Sequence, residues 1–517
     1  MTNTAPPRGR RVLAVLGAFA LAGVGVLAAA TPAQAAPDDF GNIDPARASS
    51  IIVHKHKHQT GTSVTGAPDG STPIPSDPLE NVRFTAYPLL RNGGAIDLTV
   101  PESWNDLSGL SVNAACTAVS GGTGYSIGSS IGSATTNASG LGTISLSGIG
   151  AYVVCETDAP PTVTDRAIPF IVTVPYRYDN GWVYNVHVYP KNGTSAVGKT
   201  VSPQGANALT LGSVVRFPVT VTVPAMAAGN SFTSFDVVDG LDPRLTLTAA
   251  DGVGPGVASV TLNGTPVNPA LYTVDAAGQQ VTVRFAVADP AVQTLLRSSA
   301  NQDLVVTFQG TVNAVGDGVI RNTAAGFVND PGHTHGITST EVRSNWGDVK
   351  ILKTDSASPA TPLEGAEFQV YEAATPYPAT AAECATAIAT GAGPLSVAGQ
   401  TTFTTNDLGL AVIPGLFVSD SVRAPVDGAF RCYVVVETRA PAGFVTPAAP
   451  GNARGVAVTT GQTASHDMTL TNVQQVLPQL PLTGAGGTLL LTVVGVVLIG
   501  AGAGVVLVAR KRRHRAV

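Results

Sequence analysis

The decapeptide Trp182-Val183-Tyr184-Asn185-Val186-His187-Val188-Tyr189-Pro190-Lys191 alternates in character from end to end. Trp182, Tyr184, Val186 and Val188 share one parity, and in an extended chain one parity lines one face. The segment therefore reads as a strand with that apolar face on a core. His187, Tyr189 and Lys191 fall on the outer face, and Pro190 ends regular pairing. Lys191 is thus expected exposed, at a junction with whatever follows.

The same period recurs along the chain. Val215-Arg216-Phe217-Pro218-Val219-Thr220-Val221-Thr222-Val223 is a strong strand, and Ile51-Ile52-Val53-His54-Lys55-His56-Lys57-His58 alternates as well. Of the 517 residues only 12% are charged, whereas there are 57 glycines and 37 prolines, which suits short strands and turns. These features predict an all-β chain. A net charge of -5 with no basic stripe argues against a nucleic-acid partner. His54, His56 and His58 share a parity that would suit zinc, but with no fourth ligand in sight they read as an exposed strand edge, and no metal site is expected.

The two ends fix the compartment. Arg8, Arg10 and Arg11 precede an apolar stretch and Ala33-Gln34-Ala35, the pattern of a secretory signal spanning 1–35. At the other end an apolar run over 485–509 precedes Arg510-Lys511-Arg512-Arg513 and is long enough to cross a bilayer as a helix, basic end inside. Between them the chain divides into candidate domains at 36–192, 193–345 and 346–476. An oxidising exterior favours disulfides, Cys116 with Cys155 in the first domain and Cys384 with Cys432 in the third.

Several polar residues share parity with apolar neighbours and so point inward. Asp239 lies with Phe235 and Val237, and Asn322 with Ile320 and Ala324. Lys353 lies with Val349 and Ile351, Glu437 with Tyr433 and Val435, and Asn472 with Met468 and Leu470. Buried lysine, acid and amide are costly unless they satisfy one another. Asn345 shares parity with Glu341 and Arg343 and is expected outside. In the first domain Lys55 and Glu156 are candidates for an inward pair, but Asn185 lies on the outer face, so no inward asparagine is expected to complete a set there.

Three motifs add a resemblance. Leu480-Pro481-Leu482-Thr483-Gly484 before the span and basic tail resembles the LPxTG cell-wall sorting signal of Gram-positive surface proteins. The opening decapeptide resembles the pilin motif, WxxxVxVYPK, of sortase-assembled major pilins, and Tyr433 to Phe444 resembles the pilin E-box. The third domain is similar to Cna-B-type modules and the second to their CnaA-like relatives. The resemblance implies immunoglobulin-like β-sandwiches in tandem and a shaft pilin rather than an enzyme, with no cofactor. It further implies cleavage by a class C pilin sortase between Thr483 and Gly484, with Lys191 of another copy as acceptor. A housekeeping sortase would then attach the polymer to a peptidoglycan precursor, a tip or minor pilin would complete it, and the membrane would be met only before sorting. Carried over residue by residue, the family's internal Lys–Asn amides fall on Lys199 with Asn322, promoted by Asp239, and on Lys353 with Asn472, promoted by Glu437. In such a site desolvation can hold a neutral amine beside a protonated acid. The competing expectation is a monomeric wall-anchored adhesin built from the same modules, binding a host protein or glycan.

Overall fold

The computed structural model describes residues 43–59, 64–250, 253–475 and 485–513. The leader and all five residues of the sorting pentapeptide lie outside the described residues. The regular structure described is mostly strand, in three sandwiches, the second carrying a short helix, Pro290–Ser298, and the last followed by one long helix.

In the first sandwich Ser49–His54 is the centre of a three-stranded sheet, with Asn185–Val188 parallel on one side and Leu141–Leu146 antiparallel on the other. The facing sheet is built on Gly150–Asp158, flanked by Phe170–Val174 and Arg83–Arg91. Ile51, Val53, Phe84, Val154 and Val186 fill the space between them, each at most 1% exposed. The Cys116–Cys155 disulfide fastens a long insertion to the outer face of that second sheet.

The second sandwich follows directly. Val214–Thr222 pairs with Asp303–Val312, and inward Val215, Phe217, Val219 and Val221 are fully buried, as period-two alternation requires. Opposite lie Phe235–Gly240, Gln280–Phe285 and Ala324–Val328. The third sandwich sets Val342–Asp355, Leu410–Asp420 and the parallel last strand Met468–Asn472 against Glu367–Glu372, Phe430–Arg439 and Ala453–Thr459. The second disulfide, Cys384–Cys432, ties its insertion to the sheet.

The two domain joints differ. Val342–Asp355 is one unbroken strand that starts beside Val319–Asn322 of the second sandwich and ends deep in the third, so the 345/346 limit falls inside it. Backbone bonds Leu211 N to Gly415 O and Phe417 N to Leu209 O, each 2.8 Å, cross the same joint, and a single apolar core runs through both domains. Asn345 is a correction to the sequence reading. It is 5% exposed and donates to Ser419 Oγ at 3.0 Å and Asp427 Oδ1 at 3.1 Å, because the strand is covered on both faces where it crosses the joint. The first joint is polar by comparison: the Asp165 carboxylate accepts from Ala227 N and Asn230 Nδ2, both at 2.6 Å, and Asn329 Nδ2 donates to Thr164 O at 2.7 Å.

The helix Ala485–Arg513 contains a stretch, Thr488–Arg512, whose most apolar part has mean hydropathy 2.6, long and apolar enough to cross a membrane.

Candidate functional site

Each sandwich buries one lysine at the start of its chain path, one acid on the opposite sheet and one asparagine near its end. In the third domain Lys353 Nζ donates to Glu437 Oε2 at 2.9 Å and to Asn472 Oδ1 at 2.7 Å, while Asn472 Nδ2 donates to Glu437 Oε1 at 2.7 Å. The three groups close a buried ring, and burial pushes the lysine below its ordinary pKa. Parallel pairing of Val342–Asp355 with Met468–Asn472 is what brings Lys353 beside the last strand.

In the second domain Lys199 Nζ bonds Asp239 Oδ2, and Asn322 Nδ2 donates to the same oxygen at 3.3 Å. Lys199 sits over the faces of Phe217 and Phe308 at 5.4 and 5.8 Å from the ring centroids. Desolvation lowers the lysine and raises the aspartic acid, so the two move toward neutral amine and neutral acid. Among the described residues Asn322 Oδ1 has no hydrogen-bond partner, which leaves its carbonyl open to a donor from Asp239.

The first domain holds a third set, contrary to the sequence expectation. Lys55 is fully buried, donates to Glu156 Oε2 at 2.9 Å and bonds Asn192 Oδ1; Asn192 Nδ2 donates to Glu156 Oε1 at 2.8 Å. The arrangement reproduces that of the third domain bond for bond. Asn185, the residue weighed from parity, is indeed exposed. Asn192 escaped notice because it follows Pro190, where the register of the decapeptide ends and a new strand, Lys191–Thr194, pairs in parallel with His56–Lys57. Burial lowers Lys55 to about 8, against the opposing pull of Glu156.

A signal in the sequence does point to this set. Pro78-Leu79-Glu80-Asn81-Val82-Arg83-Phe84 matches Pro362-Leu363-Glu364-Gly365-Ala366-Glu367-Phe368, and Thr135-Thr136-Asn137 to Gly140-Leu141 matches Thr404-Thr405-Asn406 to Gly409-Leu410. Tyr152-Val153-Val154-Cys155-Glu156 matches Tyr433-Val434-Val435-Val436-Glu437 in the same order. The structural reason is shared. Gly140 and Gly409 have φ of +73° and +71°, and an added Cβ would come within 2.3 Å of Lys55 O and 2.5 Å of Lys353 O. Only glycine allows that turn to lie against the lysine's backbone. The lysine N–H in turn donates to the same glycine's carbonyl, at 2.7 Å in both domains.

Lys191 is half-buried rather than exposed, and desolvation lowers its pKa. It stands at the foot of an open groove of about 450 Å³ between the edge strands Phe170–Val174 and Asn185–Val188 of the two sheets. Ile168, Phe170, Val186 and Val188 line it, and Tyr176 marks its far end. A strap crosses Asn185–Val188 beside it. His187 N donates to Pro68 O and Tyr189 OH to Ala67 O, each at 2.8 Å, and Gly66 lies so near the Tyr189 ring that a Cβ would reach it at 2.1 Å. Under the strap His54 Nε2 and His187 Nδ1 are 2.7 Å apart and Tyr189 stacks on His54. His56 turns away to Ser76 O, so the three histidines do not share one face; among the described residues no cluster suited to a metal is present.

Tandem sandwiches with lysine–acid–asparagine sets, a lysine-ended edge strand and a terminal apolar helix define a pilin-type wall protein. Residues 46–193 match the Gram-positive pilin subunit D1 N-terminal domain, and 472–515 match the LPXTG cell wall anchor motif. Over its whole length the chain is similar to the fimbrial subunit type 2 of Actinomyces naeslundii, 37% identical over 98% of this chain and 97% of that one. It is also 33% identical to the fimbrial subunit type 1 of Actinomyces viscosus, over 98% of both chains. The chain belongs to this family of Gram-positive fimbrial subunits. Its fold is that of the full-length major pilin SpaD from Corynebacterium diphtheriae, with a TM-score of 0.65 at 24% identity over 84% of this chain and 99% of that one. It is therefore a structural subunit of a surface fimbria, exported and anchored to the cell wall, processed by sortase and polymerised with other subunits.

Proposed function

We propose that copies of this chain are joined by an amide between Lys191 of one copy and Thr483 of the next. A sortase thiolate attacks the Thr483 carbonyl, the Gly484 amine leaves, and the resulting thioester is attacked by Lys191 Nζ, which loses its proton to a base on the sortase as the thiolate departs. The observation that carries this reading is the groove that ends at Lys191: the apolar sequence Val476-Leu477-Pro478-Gln479-Leu480-Pro481-Leu482 matches in character a trough lined by apolar side chains between two sheet edges. Partial desolvation of Lys191 lowers the cost of uncovering its lone pair.

A class C pilin sortase suits the elongation step and a housekeeping sortase the final transfer to a peptidoglycan precursor, with a tip or minor pilin at the distal end. Within each subunit the three buried sets form internal amides, Lys55 to Asn192, Lys199 to Asn322 and Lys353 to Asn472. In each, Nζ bonds to Cγ, the Cγ–Nδ2 bond breaks, and Glu156, Asp239 or Glu437 relays the amine proton to the departing ammonia. The units so closed are the candidate domains 36–192, 193–345 and 346–476, with the first extended through Thr194.

Lys191→Ala should abolish the SDS-resistant ladder of high-mass species while export continues; a persisting ladder would move the acceptor elsewhere. Intact mass of the mature region tests the internal amides independently. Each lost ammonia removes about 17 Da, and three such losses are expected beyond the disulfide hydrogens.

A further inference from the structure

The outer end of the first domain carries a second hollow, of about 850 Å³, lined by Trp104, Trp182, Tyr176, Arg177, Leu98 and Ile43 among others. The two indoles lie 5.5 Å apart, tilted by 37°, and Tyr176 is 40% exposed. Strand direction fixes where this hollow sits. Gly150 pairs with Val174 at one end of the sandwich, whereas the other end of Gly150–Asp158 leads to Pro160 and Pro161, which lie against Val328 and Asn329 of the second domain. Tyr176 and Trp182 therefore mark the end away from the second domain, and Lys191 the end next to it. Tyr176 lines both the hollow and the groove, so the two are continuous.

The third domain ends in an apolar knuckle. Val445 and Val473 are 62% and 65% exposed and are held side by side by a bridge between Phe444 and Gln474. Leu408, 61% exposed, lies on the turn that packs against Lys353, at the same end as Asn472. Asp407 beside it is exposed and opposite in charge to Arg177.

Chain length brings the two surfaces together, given the Lys191–Thr483 junction proposed above. From Asn472 to Thr483 a tail can span at most about 36–40 Å, and the segment from Trp182 to Lys191, which runs through Gly181–Val183 and Asn185–Val188, spans at most roughly 30 Å. A tail laid along the groove to Lys191 has little length to spare. The third domain of the donor copy is therefore held against the outer end of the acceptor's first domain. We propose that the Trp104–Trp182–Tyr176 hollow is a non-covalent socket for the Leu408–Val445–Val473 knuckle of the neighbouring copy, with Arg177 facing Asp407. Aromatic side chains around an apolar anchor are the make-up of an interface centre.

Tryptophan fluorescence tests this on the native polymer. Trp346 is fully buried in the subunit, so acrylamide quenching reports Trp104 and Trp182. In joined filaments the quenching constant should fall at least about twofold against the unjoined mature chain, with a blue shift of emission, as the indoles leave water. Val445→Glu, at an exposed position, should leave the ladder intact and return the quenching of joined filaments to the unjoined value. Equal quenching before and after joining, with the Lys191–Thr483 branched peptide recovered from the filaments, would overturn the socket and leave the junction standing. Filaments that yield no such branched peptide would remove the junction, and the socket with it.

Discussion

The first and third domains carry the same trio in the same geometry, yet they stand differently in a filament pulled from its ends. With the proposed junction, load would enter at Lys191 and leave at Thr483, so the third domain would lie in the line of force and nearly all of the first outside it. In the third domain the proposed amide from Lys353 to Asn472 would link the strand where load arrives to the strand where it leaves, and the sheets between them would carry none. In the first, the proposed amide from Lys55 to Asn192 would tie the residue next to Lys191 to the central strand of its own sandwich. Identical chemistry would then serve as a load shunt in one case and as a clamp beside Lys191 in the other. Position along the covalent path, not the site itself, would set the mechanical role.

The sharpest way to break this comparison is Glu437→Ala against Glu156→Ala. Without its acid neither amide should form, so each variant should keep one ammonia, about 17 Da, that the wild type loses, counted after allowing for the change of side chain. Each also leaves a buried lysine without its partner, a destabilisation of about 3–5 kcal/mol. Under single-molecule stretching of joined filaments, however, only Glu437→Ala should release the chain between Lys353 and Asn472 as new contour length. Glu156→Ala should extend no further than wild type. Equal lengthening in both would show that load runs through the first domain.

A smaller effect should appear where the first domain alone is probed. Removing the clamp frees Lys191–Thr194 to fray from His56–Lys57, since that parallel contact is only two residue pairs long. Lys55→Met keeps the space filled without the amide, and ladder formation should slow several-fold while Lys353→Met, on the far side of the molecule, leaves its rate unchanged. Time courses of ladder growth with purified sortase would separate the two.

Much of this was legible in the sequence because period-two alternation assigns faces wherever a strand runs straight. Phe235, Val237 and Asp239, or Tyr433, Val435 and Glu437, are buried together as parity requires. Asn192 has the parity of inward Val186 and buried Tyr184, and it is buried as they are; what hides it is Pro190, which ends the strand pattern where the chain leaves one strand partner for another. Asn345 is misplaced for a different reason: its strand is covered on both sides at the domain joint, so neither parity faces water. Lys191 looked exposed because the strand pattern places it outward, but the groove walls and the neighbouring joint come from residues far away in sequence.

Acidity offers a finer comparison between lysines. Lys55 falls from 10.5 to about 8 on burial, so the unlinked first domain binds fewer protons at that site than the unfolded chain between about pH 8 and 10.5. A depressed lysine destabilises the fold when charged; precursor stability at this site should be lowest below about 8 and rise with pH through that window. Amide formation follows the neutral fraction of the amine, so its rate after refolding should climb about tenfold per pH unit below 8 and level off above it. Intact mass against time at pH 6, 7, 8 and 9 reads this directly. A rate independent of pH would mean that loss of the amine proton does not limit the step.

The disulfides should give the smallest difference. Cys116–Cys155 and Cys384–Cys432 close loops separated by 39 and 48 residues, each worth about 3–4 kcal/mol by loop-closure entropy in an otherwise open chain. The Cys384–Cys432 loop lies wholly between Lys353 and Asn472, and Cys116–Cys155 wholly between Lys55 and Asn192. Once the amide has formed, the unfolded chain is already closed around each disulfide, and less entropy is left for it to remove. Reduction should therefore lower Tm by only a few degrees in the wild type, and by more in Glu437→Ala or Glu156→Ala, where the outer closure is missing. Calorimetry of the four combinations measures that coupling. An equal drop with and without the amide would mean that the disulfides act by holding the insertions onto the folded sheets, and not through the unfolded chain.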